Sequence, residues 1–279
     1  MSEQLQSDFD KIVKTSKISN EEIQIKKDFL DKFIESGFPN RKQEDWKFLD
    51  VNQIIKKNIS NLSFFNDYSQ SNKIDSSIFV DGLEHNKIIF INGRIEKIDF
   101  SYEDQNKIEI SDETNKDISF VYENSLIDLN SAFTHKVFKI FIKKNYSLKK
   151  PLVIYHSTND KIKSTNINLR LDFELAENSS LRLIDYFADN TAKNFINIFY
   201  NFNLEKESIL KNYKIDKFRN DNLKYSFNNV EQSSNSVSET FVLSAGSDYF
   251  KNEINCNLNG EYSSAFINGI FSLKENQQH

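Results

Sequence analysis

The side chains able to do chemistry are few and scattered. The four histidines are His85, His135, His156 and His279. No two of them stand at the His-Glu-x-x-His, His-x-His or His-x-x-x-His spacing that turns two imidazoles toward one metal, so each reads as a hydrogen-bonding or surface residue. The one cysteine, Cys256, lies in Ile254-Asn255-Cys256-Asn257-Leu258. Strand alternation places it with Ile254 and Leu258, opposite the two asparagines, as a small core residue rather than a thiolate ligand. Gly246-Ser247-Asp248 lacks the second glycine of a nucleophile elbow. Carboxylates are plentiful, but spacing alone identifies no catalytic pair. Lys143-Lys144 and Lys149-Lys150, beside Tyr146, read as solvated turns, with an acidic partner as the alternative. Trp46, the only tryptophan, sits between Asp45 and Lys47. It is read as an anchor between a helical region and a β region, with a partner hot spot as the rival. No catalytic, cofactor-binding or metal-ligating residue is assigned.

Composition narrows the classes further. With 279 residues, 38% of them hydrophobic, the chain can bury a core. Thirty-six basic residues against 41 acidic ones give a net charge of −5, which disfavours nucleic acid as a partner. One cysteine permits no intramolecular disulfide framework and suits a reducing cytosol. Ser2-Glu3-Gln4 offers no basic start to an export signal, and no apolar run approaches the roughly 18 residues of a membrane span. A cytoplasmic chain without a membrane partner is expected. Six glycines form no phosphate-binding string, which disfavours a nucleotide-binding enzyme of the common types. The crowding of Ile, Asn and Lys is treated as background.

The elements that must position these residues change type along the chain. Asn20 reads as the N-cap of a helix with Ile23, Leu30, Phe33 and Ile34 on one face, stopped by Gly37 and Pro39. Asp50 and Gln53 resemble a capping box for a short helix bearing Val51, Ile54 and Ile55. Residues 59–77 read as a linker. Asp81-Gly82, Asn92-Gly93, Asn259-Gly260 and Asn268-Gly269 suggest tight turns, with a hairpin about Asn92-Gly93. From Val137 onward most of the chain alternates as strand. Leu175, Ser179 and Leu181 recur 29 residues later as Leu204, Ser208 and Leu210, and Leu258–Phe266 forms a third, irregular block. Such a period suggests a β-solenoid, with a β-sandwich as the alternative. The organisation expected is a helical region and linker over 1–80 and a β-rich region over 81–279.

Several strings in order then carry a resemblance. Pro39-Asn40-Arg41-Lys42-Gln43-Glu44-Asp45-Trp46-Lys47-Phe48-Leu49-Asp50 resembles the N-terminal signature of the SufB/SufD family of iron–sulfur cluster assembly proteins. Ile89-Phe90-Ile91-Asn92-Gly93-Arg94, Leu129-Asn130-Ser131-Ala132-Phe133 and Lys149-Lys150-Pro151-Leu152 are similar to later family segments. So are Leu243-Ser244-Ala245-Gly246-Ser247, Asn252-Glu253-Ile254, Leu258-Asn259-Gly260-Glu261, Asn268-Gly269 and Gln278-His279. The Trp46 segment and the lack of a cysteine cluster favour the SufD branch. Leu49, Lys251 and Thr134-His135-Lys136 depart from the pattern.

The resemblance implies a mainly β fold, a right-handed β-helix core with a helical N-terminal region. It implies a scaffold subunit, not an enzyme, acting with a SufB-like paralogue and the SufC ATPase. An iron–sulfur cluster would assemble transiently on the complex, with ATP on the partner ATPase and no cofactor held by this chain. Family members continue past the Gln-His step into more rungs and a helical segment, so a partial chain is expected. The family's cluster-building histidine and cysteine would lie in that further portion, and no site is transferred. An exposed last rung would favour self-association. A β-helix enzyme acting on polysaccharides and a structural solenoid adaptor are the rival readings.

Overall fold

The computed structural model describes residues 2–15, 18–59, 61–67, 71–113, 124–159, 161–188, 193–216, 220–273 and 277–278. Among them are helices α1 (Ser2–Thr15), α2 (Asn20–Ser36), α3 (Val51–Asn58) and α4 (Ser125–Phe133). Helix α2 is capped one residue earlier than its sequence suggests, because the Ser19 hydroxyl accepts from the Glu22 N–H at 3.2 Å. Gly37 ends it at φ 67°, its N–H bonded to Phe33 O. Its buried stripe runs through Glu22, Lys26, Leu30 and Phe33, while Ile23 is half-exposed. The expected apolar face is thus rotated by one position, and Lys26 is buried with its Nζ donating to Thr134 O at 2.5 Å. The capping box of α3 forms as read, Asp50 accepting from the Gln53 N–H at 2.9 Å.

The strands are β1 (Asn86–Ile91), β2 (Arg94–Asp99), β3 (Ile108–Glu113), β4 (Val137–Ile142), β5 (Leu152–Ser157), β6 (Asn166–Leu175) and β7 (Ser180–Phe187). After them come β8 (Phe195–Leu204), β9 (Ile209–Asp216), β10 (Asn220–Gln232), β11 (Val237–Ser244), β12 (Ser247–Leu258) and β13 (Ser264–Phe271). One sheet runs β13-β11-β9-β7-β5-β1-β2 and the other β12-β10-β8-β6-β4-β3. Only β1–β2 and β3–β4 pair antiparallel among these; successive rungs stack in parallel. The result is a β-solenoid of about four turns. Its repeat is the one legible in the sequence, since Leu175 faces Leu204 and Leu181 faces Leu210. The irregular third block is the rung after next. Between lies a rung in which Gln232 and Ser238 occupy the two leucine positions, which hides it from a leucine pattern.

The turns β6–β7, β8–β9, β10–β11 and β12–β13 each have a left-handed residue just before a serine: Asn178, Glu207, Asn235 and Tyr262. The serine N–H closes the turn onto the carbonyl three residues back, as in Ser208 to Glu205 O at 3.1 Å. Asn92 and Gly93, at φ 55° and 79°, make the β1–β2 hairpin as expected. Two of the four expected Gly turns are different. Gly260 is not left-handed; it is needed because a Cβ there would overlap the backbone of Ser233 and Ser234 in the rung below. Asn268-Gly269 lies inside β13, where Gly269 passes close to the Phe271 ring.

Three apolar clusters hold the fold. The lumen is filled by inward residues such as Leu171, Phe173, Phe202 and Leu204. A second cluster joins α1 to α4 to the outer face of β8, β10 and β12 through Phe9, Leu30, Phe133, Phe195 and Tyr225. Asn130 clips α4 to the sheet, donating to Leu169 O and Asn197 O, both at 2.9 Å. In the third, Ile74, Ile78, Phe79, Val80 and Leu83 cover the outside of β1 and β5. Strand β1 is therefore apolar at consecutive positions because both its faces are buried: Ile88 and Phe90 inward, Ile89 and Ile91 beneath the linker.

Candidate functional site

The densest group of titratable side chains is inside the solenoid. Asp185 points inward from β7, and its Oδ1 meets His156 Nε2 of β5 at 2.7 Å. Its other oxygen accepts from Tyr200 Oη of β8 at 2.6 Å and from Lys214 Nζ of β9 at 2.8 Å. The His156 ring stacks between Phe90 and Phe187, with centroids 5.6 and 4.5 Å away, and Lys214 Nζ lies 3.6 Å from the Tyr200 ring centre. One rung on, Lys224 of β10 pairs with Asp216 of β9, which also accepts from the Ser244 hydroxyl at 3.3 Å. Lys224 Nζ sits 4.4 Å from the Phe187 ring centre and joins the two groups.

Burial opposes ionisation of Asp185, but Lys214 and His156 overcome it and hold the carboxyl well below its usual range. Burial lowers Lys214 and Lys224, while Asp185 and Asp216 pull them back up. Burial and the Asp185 charge push Tyr200 far upward, so it stays a donor. The arrangement is two acids against two lysines, each charge partnered in a low-dielectric lumen. A carboxylate linking an imidazole to a phenol could relay protons, but the cavity beside His156 measures about 10 Å³, the space of one water. Among the described residues this leaves no room for a substrate beside the imidazole. The ladder fixes register instead, since a one-residue slip would turn these charges outward and strand their partners.

The second feature is the last rung. Leu258, Ile267 and Phe271 face the lumen axis yet are about half exposed, as are Phe266 and Ile270 on the outside. Strand β13 pairs with β11 and β12 with β10, and the far edge of each carries no further named strand. Gln278 alone among the described residues bridges β12, at Tyr249. A row of backbone donors and acceptors thus borders an apolar surface, the arrangement to which another β-strand adds.

The third is where the signature strings meet. Trp46 is buried against Tyr225 at 5.7 Å between ring centres, with Lys251 Nζ 4.0 Å over its ring. Lys251 also donates to Asp45 O and pairs with Glu253, both within 2.8 Å. Glu253 accepts from Tyr225 Oη at 2.5 Å and from Asn124 at 3.1 Å. Trp46 is thus the anchor the sequence suggests, and Lys251, a departure from the family pattern, supplies the cation over its ring.

The other sequence candidates do not converge. His85 bonds Leu83 O and Tyr155 Oη behind the linker, and His135 lies near the end of α4; His279 is outside the described residues. Cys256 faces the lumen, half-buried, as read, and burial raises its thiol. Lys143, Lys144 and Lys150 pair with Glu109, Glu177 and Glu84 of the same chain. Among the described residues no three of His, Cys, Asp and Glu gather closely enough to hold a metal ion, and no helix is long and apolar enough to cross a membrane. The lumen charges were missed by motif reading, yet they were signalled. Asp185 and Lys214 are opposite charges at inward positions separated by the same 29 residues as the leucines.

Fold and site define a parallel β-solenoid with a charged, side-chain-filled lumen and a helical region pinned to its side. Residues 156–279 match the family model described as SUF system FeS cluster assembly, SufBD core domain. The iron-sulfur cluster assembly protein SufD of Escherichia coli K12 is 22% identical over 258 residues, an alignment covering 89% of this chain and 59% of that protein. The β-solenoid part of the chain is thus similar to the SufBD core domain, and the chain spans a little over half the length of this relative.

Proposed function

We propose that the chain is a SufD-like scaffold subunit that pairs with a SufB-like paralogue, each subunit bound to one SufC ATPase. In this reading it is no enzyme and holds no resident cofactor. ATP is hydrolysed on the partner, and the iron–sulfur cluster is cargo built transiently on the complex in the cytoplasm. The observation that supports this reading is that the parallel β-solenoid coincides with the stretch, residues 156–279, that is similar to the SufBD core domain. The side-chain-filled lumen supports a structural role for the titratable residues. The test is co-expression of the full chain with its SufB-like paralogue and SufC ATPase. Co-elution of all three, with the scaffold pair persisting when nucleotide is removed, is the expected result. A chain that elutes alone, or that cleaves polyuronides unaided, would overturn the reading.

A further inference from the structure

Away from the lumen ladder and the open rung, a cavity of about 720 Å³ opens between the β1–β2 hairpin and the β3–β4 pair. This is the size of a small-molecule site. Ile95, Ile110 and Phe138 form an apolar wall. Arg94, His135 and Lys136 line another side. Lys136 pairs with Asp112, and Arg94 lies 3.8 Å from Glu96, whose carboxylate is already engaged by the Asn72 backbone and side-chain amides. The field here is positive. Burial and then the charges of Lys136 and Lys26 lower His135, Arg94 adds to them, and Asp112 alone opposes them.

One buried group gives the cavity direction. Asn168 lines it and is 2% exposed. Its Nδ2 donates to Asn166 Oδ1 at 2.7 Å, and its Oδ1 has no hydrogen-bond partner. A buried amide oxygen left this way is costly unless a donor reaches it. We propose that this cavity binds a small amphipathic anion: an acid group toward Arg94 and Lys136, an apolar body against Phe138 and Ile110, and an N–H or O–H donated to Asn168.

The probe is anilinonaphthalenesulfonate, which has an anion, an apolar body and an N–H, compared with phenylnaphthylamine, which lacks only the sulfonate. Fluorescence titration of the full chain should give one saturable site for the sulfonate, with the neutral probe about tenfold weaker or more. Arg94→Glu and Lys136→Glu, both partly exposed and checked for native circular dichroism, should each weaken the sulfonate about tenfold and leave the neutral probe unchanged. Asn168→Leu should weaken both probes; should that variant not fold, the charge reversals and the probe pair still decide. Phe266→Lys, on the open rung, should change nothing. Equal affinity for the two probes, indifference to both charge reversals, or loss of binding in Phe266→Lys would overturn the proposal, the last by placing the probe on the open rung.

Discussion

At the scale of single residues, this protein keeps ionised groups where most folds keep leucine. Asp185→Asn leaves the Lys214 ammonium in the lumen without its carboxylate and is expected to cost about 3–5 kcal/mol in chemical denaturation. Because the folded carboxyl titrates below its unfolded range, its contribution is complete above about pH 5. It fades as pH falls from there toward the lower folded value, so wild type and variant should converge in acid. Lys26 behaves in the opposite window. Burial lowers it to about 8, against the pull of Glu22 and with a smaller push from Arg170. The unfolded chain then holds this proton more tightly than the folded one. Stability should rise between about pH 8 and pH 10, by about 3 kcal/mol from this group. Urea midpoints of wild type and Lys26→Met measured across that interval test it, since the variant should lack the rise.

At the scale of elements, the rungs stack because their turns repeat one geometry: a left-handed residue, a serine closing the loop, and a carbonyl accepting from the next turn. Gly260 is the point where this stacking leaves no room for a side chain. Gly260→Ala should cost about 1–3 kcal/mol, the scale of overpacking. Hydrogen exchange should show the loss confined to β12 and β13, with β6 to β9 as protected as before. Fraying of the whole solenoid would show that the rungs unfold as one unit. The asparagines set aside as compositional background have work at this scale too. Asn130 and Asn197 tie α4 to the sheet, and Asn229 donates to Asn201 in the rung below at 3.0 Å.

At the largest scale, the outward edge of β13 bears on how the polypeptide of residues 1–279 associates. Ser264 N–H and Ser272 N–H donate to Ser236 O and Ser244 O, so even-numbered positions of β13 face β11 and odd-numbered ones face outward. The polypeptide of residues 1–279 on its own should therefore show concentration-dependent self-association in sedimentation. Ala265→Pro removes one outward donor without breaking a bond to β11, and it should shift the equilibrium toward monomer at unchanged far-ultraviolet circular dichroism. An unchanged association constant would place the contact elsewhere on the surface.

Sequence alone determined what depends on local spacing. The α3 capping box, the Asn92-Gly93 hairpin, the 29-residue rung and the lumen-facing side of Cys256 follow from periods of two, of four and of one turn. The ordered strings also carried the resemblance to the SufB/SufD proteins, with which residues 156–279 agree. Only the tertiary structure decided which charges are inside. Lys26 and Asp185 look like any surface residue until α4 covers one and three neighbouring strands surround the other. It also decided what Trp46 touches, since Lys251 and Tyr225 come from strands far along the chain. The hidden rung at Gln232 and Ser238 shows the reason most directly. Once the backbone stacks, hydrogen bonds among Gln232, Ser238 and the carbonyl of Ser264 hold a place that leucine holds elsewhere, and a hydrophobic pattern cannot register a core position satisfied by polar partners that arrive only on folding.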